Sequence, residues 1–97
     1  MYVAIFRLEF LIPGVRTIKE RRQVVSSLKD RLKRSENFSV VDLSAGCDLV
    51  VARLGAAFTA SSFKAAEEAG EKLLSIVEKA GVQLLHFEKD VIFLERD

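Results

Sequence analysis

The residues of this sequence that could do chemistry are mostly basic, and they gather near its N-terminus. Arg16 and Lys19 follow Pro13-Gly14 in the segment PGVRTIKERR, at the start of a predicted helix. The free amides and the positive dipole of a helix N-terminus favour phosphate groups. Two interpretations are open: the segment binds an anion, or it is only a turn followed by a helix cap.

Positive charge continues along the same predicted helix. On a helical wheel, Lys19, Arg22, Lys29 and Lys33 fall on one stripe beside the apolar face. Arg31 and Arg34 extend the charge round the outer side. Such a stripe could follow RNA phosphates, or it is an ordinary solvated face whose long side chains cover the edge of the core. The predicted RNA or phosphate site consists of Arg16, Lys19, Arg22, Lys29 and Lys33.

Arg21 leans instead towards the apolar side of the helix. Charged side chains in such half-buried positions are usually paired. We expect Arg21 to pair with a carboxylate near the sheet or to extend past it to solvent.

The other reactive residue types are too few to form a site. Cys47 and His86 are the single cysteine and the single histidine, which excludes an intramolecular disulfide and the usual zinc clusters. Neither residue has an evident catalytic partner in the sequence. We therefore predict no catalytic residue, no metal, no cofactor and no enzymatic activity.

Acyl phosphate hydrolysis is the least favoured alternative. Acylphosphatases share the predicted order of elements and bind phosphate between the first strand and the first helix. Here Glu20 forms a capping box with Thr17 and competes for the free amides. The one asparagine, Asn37, precedes the second strand, so the third-strand asparagine that positions water in those enzymes has no counterpart.

Length and composition predict a single globular domain over residues 1–97. Hydrophobic residues make up 49% of the chain and charged residues 30%, as in soluble folded proteins. No apolar run approaches the roughly 20 residues of a membrane span, and the N-terminus does not resemble a signal peptide. We expect a cytoplasmic protein that does not bind membranes.

The hydrophobic pattern predicts six elements. Residues 2–12 alternate as a strand, residues 17–35 have helical periodicity, and residues 38–43 and 48–58 form strands joined by a turn at 44–46. A second helix starts after Ser61 or Ser62 and stops at Gly81, with an apolar stripe that begins at Phe63. The last strand covers 82–87 and 91–94, with a polar interruption at 88–90 that predicts a bulge or a turn. The order βαββαβ predicts an α+β, ferredoxin-like sandwich: a four-stranded antiparallel sheet with two helices on one face.

The sheet face away from the helices is the second candidate surface. The even-numbered residues of the first strand are all apolar and are predicted to face the core. The opposite face is apolar for a solvent-exposed surface, which is typical of an interface, and we predict a sheet-to-sheet homodimer. Arg7, Glu9 and Arg53 are expected to form an ion cluster there, and Leu49, Gly55 and Ala57 to share the face. The predicted dimer face consists of Val3, Ile5, Arg7, Glu9, Val51 and Arg53.

The segment IPGVRTIKERRQVVSSLKDRL, residues 12–32, resembles the opening motif of the YlxP-like proteins, domain of unknown function family 503. The residues that match this Leu-Pro-Gly-x-x-Ser-Leu-Lys-Glu-Lys-Arg motif are Pro13, Gly14, Lys19, Glu20 and Arg22. The tryptophan-bearing segment that is common in the family before the third strand is absent here. The resemblance implies a small bacterial-type protein encoded beside genes for translation initiation and ribosome maturation.

Two functional hypotheses follow. The first is a non-enzymatic domain that associates with ribosomal RNA or a ribosomal particle through the basic first helix. Contact through sheet aromatics, as in RNA recognition motifs, is not expected, because Phe6 and Phe10 face the core. The alternative is a protein-interaction or structural homodimeric module with no role in nucleic-acid binding.

Overall fold

A computed structural model describes residues 1–35 and 37–95. The elements are β1 (Tyr2–Leu11), α1 (Ile18–Arg34), β2 (Phe38–Asp42), β3 (Val51–Ala60), α2 (Phe63–Lys79) and β4 (Gln83–Phe93). The strands form one antiparallel sheet in the order β2-β3-β1-β4, and both helices pack on the same side of it. The predicted α+β, ferredoxin-like architecture is confirmed.

β1 is a central strand, and its alternation builds the core. Successive side chains of a strand point to opposite faces, so its even-numbered residues all meet the helices. Ala4, Phe6, Leu8 and Phe10 are at most 1% exposed. The side chains that pack against them from β3 and the helices are Val25, Leu28, Leu32, Ala52, Leu54, Ala66, Ala69, Leu73 and Val77.

Each helix begins at a hydroxyl cap that the sequence predicts. Thr17 Oγ1 accepts the N–H of Glu20 at 3.1 Å, and Ser62 Oγ accepts the N–H of Ala65 at 3.1 Å. The apolar stripe of α2 is confirmed except at Phe63, which is 52% exposed and rests edge-on against Tyr2. Within the two described ranges, no helix has the length and apolarity that crossing a bilayer requires.

The connection between β2 and β3 is longer than predicted. β3 begins at Val51, not at residue 48, and the loop covers 43–50. The difference arises from two consecutive turns, in which Cys47 N–H donates to Ser44 O and Val51 N–H donates to Asp48 O, both at 2.9 Å. Leu49 lies in the second turn, so its predicted place on the sheet face is wrong.

β4 is continuous, and the predicted interruption at residues 88–90 is wrong. The three charged residues pair with Ile5, Phe6 and Arg7 of β1 in regular register. Charge does not break the strand because two of these side chains have partners: Glu88 pairs with Arg7, and Lys89 with Glu67 of α2. The register shift lies instead opposite Glu9 and Phe10, where Leu85 is the extra residue.

A buried ring of β1 and an exposed ring of α2 should differ in how much stability is lost when the ring is removed. We expect Phe10→Ala to lower the free energy of unfolding by about 3–5 kcal/mol, because the ring is fully buried and the sheet cannot collapse into the cavity. Phe63→Ala should cost less than about 1.5 kcal/mol, since it loses mainly one edge contact. Urea denaturation of both variants checks this, and equal losses would contradict the described core.

Candidate nucleic-acid interface and open sheet face

The exposed side of α1 carries the predicted basic stripe. Lys19, Arg22 and Lys33 are exposed, and Lys29 is half-buried beside the apolar face. Arg31 and Arg34 are also exposed and lie on the outer side of the helix. We call this exposed basic surface of α1 the basic face. A shallow groove in it, which does not include Lys29 or Lys33, is lined by Lys19, Arg22, Gln23, Ser26, Ser27, Asp30, Arg31 and Arg34.

The cations of this face are not neutralised by neighbouring side chains. α1 contains seven Lys or Arg residues and two acidic residues. Among residues 1–35 and 37–95, no ion pair includes a basic residue of α1. Arg7, Arg53, Lys64 and Lys89, which lie elsewhere, each contact a carboxylate. The basic face is therefore the densest group of cations outside the described ion pairs, although Lys72 and Lys79 of α2 are also in none of them.

The turn before α1 is organised as a cap. Besides the hydrogen bond that Thr17 Oγ1 accepts from the Glu20 N–H, the carboxylate of Glu20 accepts the N–H of Arg16 at 3.2 Å. In an ideal capping box this bond would reach the N–H of the cap residue itself, one position later. The predicted cap is thus present with a shifted second bond, and a carboxylate occupies an amide that an anion would need. The side chains of Arg16 and Lys19 remain exposed at the head of the basic face.

Arg21 has a structural role and is not part of the basic face. It is half-buried, and its Nη1 donates to the carbonyl oxygens of Cys47, Asp48 and Val51 at 3.2, 3.0 and 3.4 Å. These bonds tie α1 to the loop between β2 and β3. The expected carboxylate partner is wrong, since the acceptors are backbone groups that no sequence pattern identifies.

The sheet face away from the helices mixes exposed apolar and charged side chains, and we call it the open face. Ile5 and Val41 are 40% and 53% exposed, and Ala57 lies directly opposite Ile5. Val41 and Leu43 cover Gly55 so closely that a Cβ there would lie 3.1 and 3.0 Å from their side chains. Val41 and Leu43 are not among the predicted residues of this face, although alternation within residues 38–43 places both on it.

Two ion pairs cross the open face from strand to strand. Arg53 Nη2 contacts Glu9 Oε2 at 2.6 Å, and Arg7 Nη2 contacts Glu88 Oε1 at 2.7 Å. In both pairs the arginine Nε also donates to the same oxygen. The predicted cluster of Arg7, Glu9 and Arg53 is therefore two separate pairs. Glu88 was missed because the sequence predicts an interruption of the strand there.

Comparison with known families agrees with the motif at the start of α1. A family model described as a protein of unknown function, DUF503, matches residues 3–89. The chain belongs to this family. The resemblance to YlxP-like proteins is thus confirmed, and a comparison with curated protein sequences finds no match.

Solved structures resemble this DUF503 domain in fold alone. SnoaB, a cofactor-independent oxygenase from Streptomyces nogalater, is 14% identical with a TM-score of 0.53, over 100% of this chain and 97% of that one. Atu4242 from Agrobacterium tumefaciens is 17% identical with a TM-score of 0.53, over 99% and 95%. The de novo designed protein Foldit4 is 13% identical with a TM-score of 0.53, over 97% and 98%. An oxygenase and a design on one fold show that the fold does not determine function.

On the open face of the DUF503 domain, the Glu88 carboxylate contacts both Arg7 and His86. The hydrogen bond that it accepts from Arg7 is the largest cause that lowers the pKa of Glu88 below its usual value. Its hydrogen bond with His86 Nε2, at 2.9 Å, is the second cause. The charged form is favoured in the folded state, so the unfolded chain takes up the proton first as the pH falls. This contribution to stability is present above the usual range of a glutamate and is lost as the pH falls through the lowered pKa.

Glu88→Gln tests this linkage. We expect the variant to melt at a lower temperature than the parent near pH 7, and the difference to shrink as the pH falls below the usual range of a glutamate. Glu71→Gln, on the exposed side of α2 and in none of the described ion pairs, controls for the change in net charge. A difference between Glu88→Gln and the parent that stays constant across this pH range would contradict the pairing.

Proposed function

We propose that this DUF503 domain is a non-enzymatic, cytoplasmic RNA-binding protein whose contact surface is the basic face of α1. The observation that carries the proposal is the segregation of charge. Outside α1, four basic residues contact carboxylates, whereas within the described residues none of the seven basic residues of α1 does, and five of these seven are exposed along the helix. Unneutralised cations in a row are the electrostatic footprint expected for a phosphate backbone.

The dimensions of α1 suit a contact with several phosphates. Its 17 residues extend about 25 Å at 1.5 Å per residue. Contact with about four phosphates would give a slope of about −3 to −4 in log K against log salt concentration. Binding of this kind is electrostatic and largely independent of base sequence.

The sheet does not supply an alternative RNA contact of the stacking type. Phe6 and Phe10 of β1 are 1% and 0% exposed and lie under the helices. The exposed strand positions on the open face of β1 carry aliphatic and charged side chains. Sequence-specific recognition of unstacked bases generally needs exposed aromatic rings or guanidinium planes. The guanidinium groups of Arg7 and Arg53 on the open face are held by carboxylates.

Ribosomal RNA, free or within a ribosomal particle, is the RNA that we propose. The support is the family resemblance, which implies a gene neighbourhood of translation initiation and ribosome maturation. The physical argument from α1 requires only an RNA backbone. An experiment that compares binding to ribosomal subunits with binding to an unrelated RNA duplex distinguishes the claim of RNA binding from the claim that the RNA is ribosomal.

A matched pair of charge-reversal variants tests the basic face. We expect Lys19→Glu/Arg22→Glu/Lys33→Glu to abolish cosedimentation with ribosomal subunits at low salt, because the stripe becomes repulsive to phosphates. The parent should bind at low salt and release as salt rises. Lys29 is left intact because it is half-buried.

The control variant makes the same change on the other helix. Lys64→Glu/Lys72→Glu/Lys79→Glu alters net charge equally, and both triples place one glutamate in the first turn and one in the last turn of their helix. We expect this variant to bind as the parent does. Equal loss of binding in both variants would show that net charge, and not the basic face, determines binding. Full binding by the α1 variant would overturn the proposal. Binding to the duplex but not to subunits would retain RNA and reject the ribosome.

Protein binding through the open face is a second candidate function. The observation that favours it is the set of exposed apolar side chains on this face, namely Ile5 of β1, Val41 of β2, Ile92 of β4 and Leu43 just after β2. Contiguous apolar surface of this kind is uncommon on a monomer and marks an interaction site. This function requires no nucleic acid, and the α1 triple would leave it intact.

A further inference from the structure

We propose that the open face is occupied by a second copy of this chain, and that the resulting dimer carries its two basic faces on opposite outer surfaces, where it bridges two RNA segments. The dimer follows from the surface of the domain itself. Its bridging role rests on the proposed RNA function. The layers would follow the order helices, sheet, sheet, helices, with the two sheets about 10 Å apart.

Self-association is electrostatically acceptable at the open face and unfavourable at α1. Two α1 faces brought together would oppose rows of like charge. On the open face, Arg7, Glu9, Arg53 and Glu88 are joined in two pairs within one chain, and Asp90, which is in none of the described ion pairs, lies on the edge strand β4 at the rim of the face. A charge that carries its own partner is far less costly to bury than a lone one, so a neutral and apolar second surface can cover it. The surface with that composition on this chain is the open face itself.

Association through the β4 edge is opposed by local features. Asp90 Oδ1 accepts the N–H of Val91 at 2.9 Å, which satisfies a backbone donor within the edge strand. Leu85 forms a bulge, and the strand carries Glu88, Lys89 and Asp90 at its centre. Bulges and charges on an edge are the usual protection against strand-to-strand pairing. Face-to-face packing is therefore favoured over a sheet extended through β4.

The area of the open face matches a small but stable interface. Four strands spaced about 4.8 Å apart, with up to ten residues at about 3.3 Å each, give a flat area of about 500–600 Å². Stable interfaces start at about 600 Å² of accessible surface per partner, and side-chain relief raises the accessible area above the flat one. We expect a concentration-dependent dimer.

The dimer would turn the basic faces away from each other. Both helices of one chain lie on the side of the sheet opposite to the open face. Joining two open faces therefore places one basic face on each outer surface, and a single straight RNA segment cannot reach both. The geometry favours contact with two separate segments, as in holding two RNA elements together.

Sedimentation equilibrium tests the dimer directly. The parent is expected to dimerise, and Ile5→Glu and Val41→Glu should each raise the dimer dissociation constant at least about a hundredfold, because each buries an unpaired carboxylate. Val41 is 53% exposed, so its variant keeps the test valid if Ile5→Glu, which faces Asp90, folds poorly. Phe63→Glu, at a site of similar exposure on the helical side, should dimerise as the parent does.

A bridging assay tests the arrangement of the basic faces. An immobilised 20-base-pair RNA duplex is loaded with protein at low salt, and retention of a second, fluorescent duplex is measured. We expect the parent and Phe63→Glu to retain the second duplex, and Val41→Glu to bind the first duplex without retaining the second.

Each outcome decides one part of the proposal. A parent that is monomeric at all concentrations, or that loses its dimer in Phe63→Glu but not in Val41→Glu, overturns the sheet-face dimer. A dimer that binds one duplex without retaining another overturns the bridging geometry. A sheet-face dimer that binds no RNA leaves the dimer standing, and overturns both the RNA function and the bridging that rests on it.

Discussion

The structure depends on the strict alternation of β1. This strand is central in the sheet, and every even-numbered side chain from Ala4 to Phe10 is apolar and buried. That pattern commits both helices to one side, since the unbroken apolar row of β1 lies on that side. The other side remains open, with an odd-numbered row that mixes aliphatic and ion-paired residues. The two candidate surfaces of the domain are thus consequences of one strand having two unlike faces.

Charge is distributed in a way that complements this layering. Cations that lie on the sheet are held by carboxylates on neighbouring strands, and Lys89 reaches Glu67 on α2. The cations of α1 have no such role within the described part of the chain. Exposed ion pairs contribute little to stability, so their principal effect here is to leave the sheet neutral. A domain with net charge near zero thereby acquires one strongly positive face.

Much of the fold could be predicted from the sequence because it depends on local periodicity. The alternation of residues 2–12, the helical spacing of Val25, Leu28 and Leu32, and the caps at Thr17 and Ser62 each act over a few residues. Features that depend on distant partners could not be predicted in this way. The charged centre of β4 reads as a break in the sequence, and becomes a strand because Arg7 and Glu67 lie opposite. The basic stripe was predictable from the helical wheel, whereas the role of Glu88 required the register of β4 against β1.

Arg21 shows how one basic helix can contain two kinds of arginine. Its Nη1 alone donates to three carbonyl oxygens, those of Cys47 and Asp48 in the loop and that of Val51 at the start of β3. The demand for a long cationic side chain at this position comes from the loop between β2 and β3, whatever ligand the helix meets. A relative could therefore lose every exposed charge on α1 and still retain Arg21, so that its presence reports inheritance of the scaffold and not of a binding function.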